Sequence, residues 1–492
     1  MSNIKQVFWV LVTLSIVFSL FYLGIKNEKN ALSDVGIELT LKEAINLGLN
    51  RAKKWNENAY LVIVTSVDED MGGTRGATGK RYKWTLSFEA SSTDQQLFVL
   101  ISKGEISGVD EGKGASFGEI KLDDIKFDSP DLVKFAQKKY GLQKGVDWAT
   151  GYNFILNGEN GKPTVTVLGN DKDSLFTRIT FDARNGEIVG ARHKVPKGGG
   201  VIKARLGSDE SETLKNGKAI LGISANDNQV VIWGDQKPRV FNYSVQPFIE
   251  FSKNYGEYWN ALNFNEEILN AWINLDNELY AATELGLWRI ETSENKMKRI
   301  FTTENKIEKI DYSTNNNIVI LSNNYIYKTI DNGENWNTII QPESEKIISL
   351  QISDGGTVIV LTSNGNIHQN NGDKWINIEL AQGLETPSYM KLIGDDLFLL
   401  SDYTLWIQNL KDDRWNKIQT NYEFKYLIKK RNNLFGVNED GIIYLIKLGG
   451  DTNEWKVERL FEAKDGIITD LELTQNDLFI ATMPDYYWET MN

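Results

Sequence analysis

From residue 217 onward, runs of four mostly apolar residues alternate with polar turns at a steady interval. Runs beginning at Val230, Leu279, Ile318, Val358, Leu397, Leu434 and Leu478 read VVIW, LYAA, IVIL, VIVL, LFLL, LFGV and LFIA. A Trp or a substitute keeps the same beat at Trp259, Met297, Trp336, Trp375, Trp415 and Trp455, in steps of 38, 39, 39, 40 and 40 residues. Short strands repeating at that length, with turns between them, predict four-stranded blades set around an axis, a β-propeller over residues 201–492. One blade cannot bury both its faces, so the ring must close. The run VIKARL at 201–206 precedes the first repeat, and the last repeat, from Ile467, has room for three strands. VIKARL as the missing fourth strand closes a ring of seven blades, with six or eight as the alternatives.

The pattern changes ahead of the ring. Val7–Ile25 carries no charge and no proline, and as a helix it spans about 28 Å, the thickness of a bilayer's hydrocarbon core. It is expected to be an uncleaved single-pass anchor, since no small-residue cleavage site follows it. The short tail before it and the large body after it place that body outside the cytoplasm, on a cell surface or in a periplasm. From 37 to 119, Thr40 and Glu43 form a capping box for a helix reaching Trp55, followed by strands from Ala59, Lys80 and Gln95. From 121 to 194 the plan repeats, with Ser129 as cap, Pro130 in the first turn and a helix ending at Gly141. Gly104-Glu105-Ile106-Ser107-Gly108 matches Gly186-Glu187-Ile188-Val189-Gly190, and Lys53-Lys54-Trp55 matches Lys138-Lys139-Tyr140, which points to a tandem duplication. Residues 195–200 (VPKGGG) read as a flexible linker. The expected fold is mainly β with a small α+β part.

The helix-first order and the ending FDARNGEIVGA resemble the PepSY domain of secreted-peptidase propeptides and envelope proteins. Asp182, Gly186, Glu187 and Ile188 carry the resemblance in the second unit. The first unit is degenerate, with Ile101-Ser102-Lys103 where the family's turn would stand. The resemblance implies an extracytoplasmic interaction or inhibitory module, including inhibition of an envelope protease, without chemistry of its own.

Composition narrows the function further. The net charge of -13 argues against nucleic acid, whose binding depends on lysine and arginine neutralising phosphates. Cysteine is absent and the two histidines, His193 and His368, lie far apart, so no thiol chemistry and no catalytic transition-metal site are expected. Asp68-Glu69-Asp70 and Asp209-Glu210 lack the spaced ligands of a calcium loop and read as solvated turns. Gly72 to Arg81 (GGTRGATGKR) misses the first glycine and the Ser/Thr of a phosphate loop and reads as a mobile hairpin.

Thr329-Ile-Asp331-Asn-Gly333-Glu-Asn-Trp336 resembles the Asp-box of BNR repeats, with a weaker copy at Asn370, Gly372 and Trp375. In physical terms the carboxylate caps backbone N–H groups, Gly adopts positive φ and Trp packs between blades. Sialidases carry such boxes, but the ring's arginines (Arg205, Arg239, Arg289, Arg299, Arg414, Arg431 and Arg459) do not stand in the motif context of a sialic-acid clamp. The resemblance is then to noncatalytic BNR propellers, including envelope proteins and assembly factors of the photosystem-stability type. Tyr255, Tyr258, Tyr486, Tyr487 and Trp488 crowd the closure region and are candidate ligand-facing aromatics, with inter-blade packing as the other reading. The expectation is a membrane-anchored, noncatalytic scaffold without cofactor or metal. Its partner would be an envelope protein, or a cell-wall glycan if the ring is glycan-binding or carbohydrate-active.

Overall fold

The computed structural model describes residues 36–491, except 67–71, 94, 115–117, 147–149, 159–161, 209, 236–246, 265, 292–295, 343–344, 373, 412–413, 419–421 and 449–454. The expected span at 7–25 lies outside these residues, and among the described ones no helix is long and apolar enough to cross a membrane. The described chain is mainly β and forms two compact units, one of residues 36–195 with 487–491, the other of 196–235 with 247–486.

In the first unit α1 (Leu41–Trp55) starts at the Thr40–Glu43 capping box and buries Leu41, Ala44, Ile45, Gly48 and Ala52. Strands β1 (Tyr60–Ser66), β2 (Lys83–Glu89), β3 (Gln96–Ser102) and β4 (Glu105–Gly112) follow. The order then repeats as α2 (Ser129–Tyr140), β5 (Asn153–Asn157), β6 (Thr164–Asn170), β7 (Phe176–Asp182) and β8 (Ile188–Lys197). The copies do not form separate sheets. β1 pairs antiparallel with β5, and one nine-stranded sheet runs from the C-terminal strand Asp485–Thr490 through β8, β7, β6, β5, β1, β2 and β3 to β4. A single core joins Leu41 and Ala44 of α1 to Leu132 and Val133 of α2.

The matched five-residue segments occupy the same place in each copy. Both strand pairs β3–β4 and β7–β8 carry a one-residue bulge: Ile101 faces Ile106 and Leu100 faces Gly108, while Phe181 faces Ile188 and Thr180 faces Gly190. Gly104 and Gly186 both have positive φ, +88° and +73°, so each makes the turn that a residue with a Cβ resists. Register, bulge and turn thus repeat together, which is the structural mark of an internal duplication.

Three expectations need correction. The N-cap of α2 is Asp128, whose carboxylate accepts from Ser129 N at 2.8 Å. Ser129 instead works across the duplication: its Oγ accepts from Leu41 N at 2.9 Å and donates to Gly79 O at 2.6 Å. Ser129→Ala strands two buried backbone groups and is expected to cost about 1–3 kcal/mol, read as a lower denaturation midpoint of this unit. The 72–81 segment is packed rather than mobile, because a Cβ on Gly76 would lie 2.1 Å from Tyr152 O and Arg81 is buried with its guanidinium on Thr150 O at 3.0 Å. Residues 195–200 are likewise not slack. β8 runs to Lys197, and a Cβ on Gly199 or Gly200 would meet Pro484 or the Lys215 carbonyl at 2.5 and 2.0 Å.

The second unit is a seven-bladed β-propeller, with seven four-stranded sheets among the described residues. The seven apolar runs are the second strands of the blades and are buried almost throughout, since blades pack on both their faces. The innermost strands touch in sequence around the ring, and Ala219–Ala225 meets Ile467–Leu473 to complete it. Closure uses two N-terminal strands, not one. β9 (Gly200–Arg205) pairs with Asp477–Met483, and β10 (Ser211–Asn216) lies outside β9. The third strand expected of the last repeat is the C-terminal strand Asp485–Thr490 of the nine-stranded sheet.

Candidate functional site in the central channel

Along each inner strand alternate side chains point into the channel, and the register fixes equivalent positions. The residue opposite the second member of each apolar run is Ser224, Trp272, Asp311, Gln351, Lys391, Ile428 and Glu472 in turn. Three of these accept a hydrogen bond from the inner strand of the next blade. Ser224 Oγ takes Ile273 N at 3.2 Å, Asp311 Oδ2 takes Ile352 N at 2.8 Å and Gln351 Oε1 takes Leu392 N at 3.2 Å, while Glu472 Oε2 accepts from Ser224 Oγ of the next blade at 3.3 Å. Asp470 adds a bond of the same kind to Ile223 N at 3.0 Å. These polar groups therefore satisfy N–H groups that inner strands would otherwise leave open.

Cations complete the lining. Lys430 pairs with Asp470 Oδ2 at 2.6 Å and donates to Ile223 O at 2.7 Å. Lys429 crosses to Asp311 Oδ2 at 3.2 Å, and Arg431 donates to Ala225 O at 3.0 Å. Burial pulls the Lys430 ammonium down, but Asp470, Tyr312 and Glu472 reverse this and hold it charged. Burial pushes the Glu472 carboxyl up from 4.5 to about 7, against the pull of Lys430 and Arg431. The folded state therefore binds a proton more readily than the unfolded chain between those values, so the stability this group confers falls as pH rises from about 4.5 to about 7. Glu472→Gln is expected to flatten that part of the pH dependence of the ring's melting temperature. The channel encloses about 430 Å³ and draws on all seven inner strands, including Leu221, Ile310, Tyr312, Tyr389 and Tyr426.

The turn at 329–336 joins the third and fourth strands of its blade. Thr329 Oγ1 donates to Asp331 Oδ1 at 2.7 Å and accepts from Gly333 N at 3.0 Å, and Asp331 Oδ1 accepts from Asn335 N at 2.9 Å. Those bonds, chiefly from Asn335, hold the Asp331 carboxyl down at about 2. Trp336 Nε1 donates to Ile300 O of the preceding blade at 3.2 Å, as Trp375 does to Ile340 O and Trp415 to Glu379 O. An equivalent turn is built by Ser252, Asn254, Gly256 and Trp259, with Asn in place of the Asp by which the sequence motif is recognised. Ser252 Oγ donates to Asn254 Oδ1 at 2.8 Å and accepts from Gly256 N at 2.9 Å, and Asn254 Oδ1 accepts from Tyr258 N at 3.0 Å. Tyr255 and Asn332 both have φ of +59°.

The five crowded aromatics are divided between the units. Tyr255 packs edge-on against Phe479 at 4.9 Å, and its hydroxyl bonds Thr474 and Asp477, so it is a seam residue rather than a ligand-facing one. Tyr258 is 74% exposed. Tyr486 N donates to Asp485 Oδ1. Tyr487 is half exposed, and Trp488 carries Arg178 over its ring at 4.1 Å and packs at a tilt against Phe176 within the nine-stranded sheet's unit. In the β7–β8 turn Asp182 binds Arg184, which holds its carboxyl at about 2, while Gly186 N donates to Asp182 O; Glu187 is exposed and Ile188 packs on the core. None of these residues lines the channel.

No protein-family model and no curated protein matches this chain. Solved structures similar to it include one described as YCF48 bound to D1 peptide, at 10% identity over 65% of this chain and 89% of that one, with a TM-score of 0.35. YCF48 from Cyanidioschyzon merolae is 13% identical over 54% of this chain and 95% of that one, at TM-score 0.39. The Neurospora crassa Pan2 WD40 domain is 11% identical over 56% and 90%, also at 0.39.

Proposed function

We propose that the protein is a membrane-anchored, extracytoplasmic, noncatalytic binding protein whose propeller is a protein-interaction platform. The observation that carries the platform reading is the outer rim of the ring, where the outermost strands of three successive blades expose Met297, Ile340 and Ile376. Apolar side chains repeated along a rim are what a partner would cover. The absence of catalysis is supported by the channel, whose acceptors Ser224, Asp311, Gln351 and Glu472 are engaged in holding blades together. Two turns with the S/T-x-D/N-x-G-x-x-W pattern support a BNR-type ring, and the duplicated helix-and-strands unit with its Gly-Glu-Ile turn supports a PepSY-like pair. Val7–Ile25 supplies the anchor.

In-cell crosslinking of the full-length protein, read by mass spectrometry, tests the platform. One protein should be recovered reproducibly, and Ile340→Asp with Ile376→Asp should remove it. Enrichment of cell-wall glycan with no protein would replace this reading by a glycan-binding one. Protease added to cells stripped of any outer membrane and wall should digest the body while the anchor resists carbonate extraction; a body protected under those conditions would reverse the orientation.

A further inference from the structure

We infer that the central channel of the ring binds a small oxyanion, a carboxylate- or phosphate-bearing molecule, with Lys391 as its direct ligand. Lys391 stands at the channel position where Ser224, Asp311 and Gln351 accept the next blade's N–H. An ammonium has donors only, so a lysine there cannot make that bond. It makes no ion pair or hydrogen bond to the described residues either, although Lys429 has Asp311 and Lys430 has Asp470. Among the lining cations Lys429 pairs with Asp311, Lys430 with Asp470, and Arg431 lies 4.0 Å from Glu472, so Lys391 alone of the four has no carboxylate partner among the described residues.

Both lining carboxylates already hold a lysine and a backbone N–H. Lys391 is therefore the lining cation left available to an anion that enters. Burial pushes the Lys391 ammonium below its ordinary range, with the nearby Asp311 pulling the other way, as befits a cation that lacks a close counter-ion. An oxyanion brought to it would gain charge-assisted hydrogen bonds in a site that the surrounding blades partly screen from bulk water. The space of about 430 Å³ suits one small molecule, and Leu221, Ile310, Tyr312 and Tyr389 offer surface for a hydrocarbon portion. Nothing here depends on the ring being a protein platform.

The test is calorimetric titration of the detergent-solubilised full-length protein with citrate, succinate and inorganic phosphate, with glycerol as the neutral control. At least one oxyanion should bind one to one, and Lys391→Met should weaken it about tenfold or more, while Lys391→Arg retains it. Binding of citrate or succinate alone assigns a carboxylate, and of phosphate alone a phosphate. No binding by any of the three, or equal binding to Lys391→Met, overturns the inference. A measurement on the unaltered protein guards against a variant that misfolds: the bound anion favours the protonated, unreactive amine and should slow reductive methylation of Lys391 about threefold or more relative to exposed Lys447. Unchanged labelling of Lys391 at saturating anion would also overturn it.

Discussion

Lys430→Met is expected to destabilise the ring by about 3–5 kcal/mol, because it leaves one carboxylate of a buried ion pair without its cation. Lys430 is 6% exposed and joins three blades, pairing with Asp470 at 2.6 Å and donating to Ile223 O at 2.7 Å. Without it Asp470 keeps the N–H groups of Ile223 and Leu471, and the Ile223 carbonyl loses its donor. Lys447→Met is the control, since its pair with Glu458 is half exposed on both sides and such pairs contribute about 0–1 kcal/mol. Denaturation followed on the ring's own transition should separate the two variants clearly. Adding Asp470→Leu to Lys430→Met should recover part of the loss, because an apolar pair no longer strands a charge, but not the part due to the Ile223 N–H. A midpoint for Lys430→Met within the range of the control would show that the channel's charges are solvated and that the ion pair contributes little.

The propeller was legible because its second strands are buried on both faces and must be apolar wherever a blade occurs, and because each Trp starts a fourth strand at the same step. Closure was only half legible. VIKARL is recognisable as a strand, but its neighbour Ser211–Asn216 reads SETLKN with an exposed pattern, and an outermost strand needs no apolar signature. The Trp beat also stops there, because that blade's outer strand comes from the other end of the ring's sequence. The turn at 252–259 escaped notice through one substitution, Asn254 for Asp, although an amide oxygen caps the same N–H groups. In the first unit both copies could be read, but not their fusion. The continuous apolar run of β1 was compatible with a strand in mid-sheet, yet nothing in it names β5 as the neighbour. The channel residues were invisible for another reason: Asp311, Gln351 and Lys391 lie 40 residues apart, and only the register shows that they share one position and that the third cannot do what the first two do.

Phe479→Ala should cost about 3–5 kcal/mol, the usual loss for a buried aromatic in a packed core, with an effect that reaches beyond its own blade. Phe479 is fully buried between the closing blade and the first, in a cluster with Val201 of β9, Ile220, Ile232 and Phe248, and Tyr255 meets it edge-on. Phe398 is its counterpart in the fifth blade, equally buried and met edge-on by Trp455 at 4.9 Å. Truncation removes similar area at both sites, so their equilibrium costs should agree within about 1 kcal/mol. The consequences for dynamics should differ. The fifth blade is one continuous stretch of chain, whereas the closing blade pairs β9 with Asp477–Met483 from the far end of the ring and is held by packing and ladder bonds alone. Sub-global opening follows the weakest cooperative unit, so hydrogen exchange should quicken in β9, β10 and Asp477–Met483 for Phe479→Ala, and not there for Phe398→Ala. Equal protection of the closing blade in the two variants would mean that the seam is no weaker than the others and that the ring opens only as a whole.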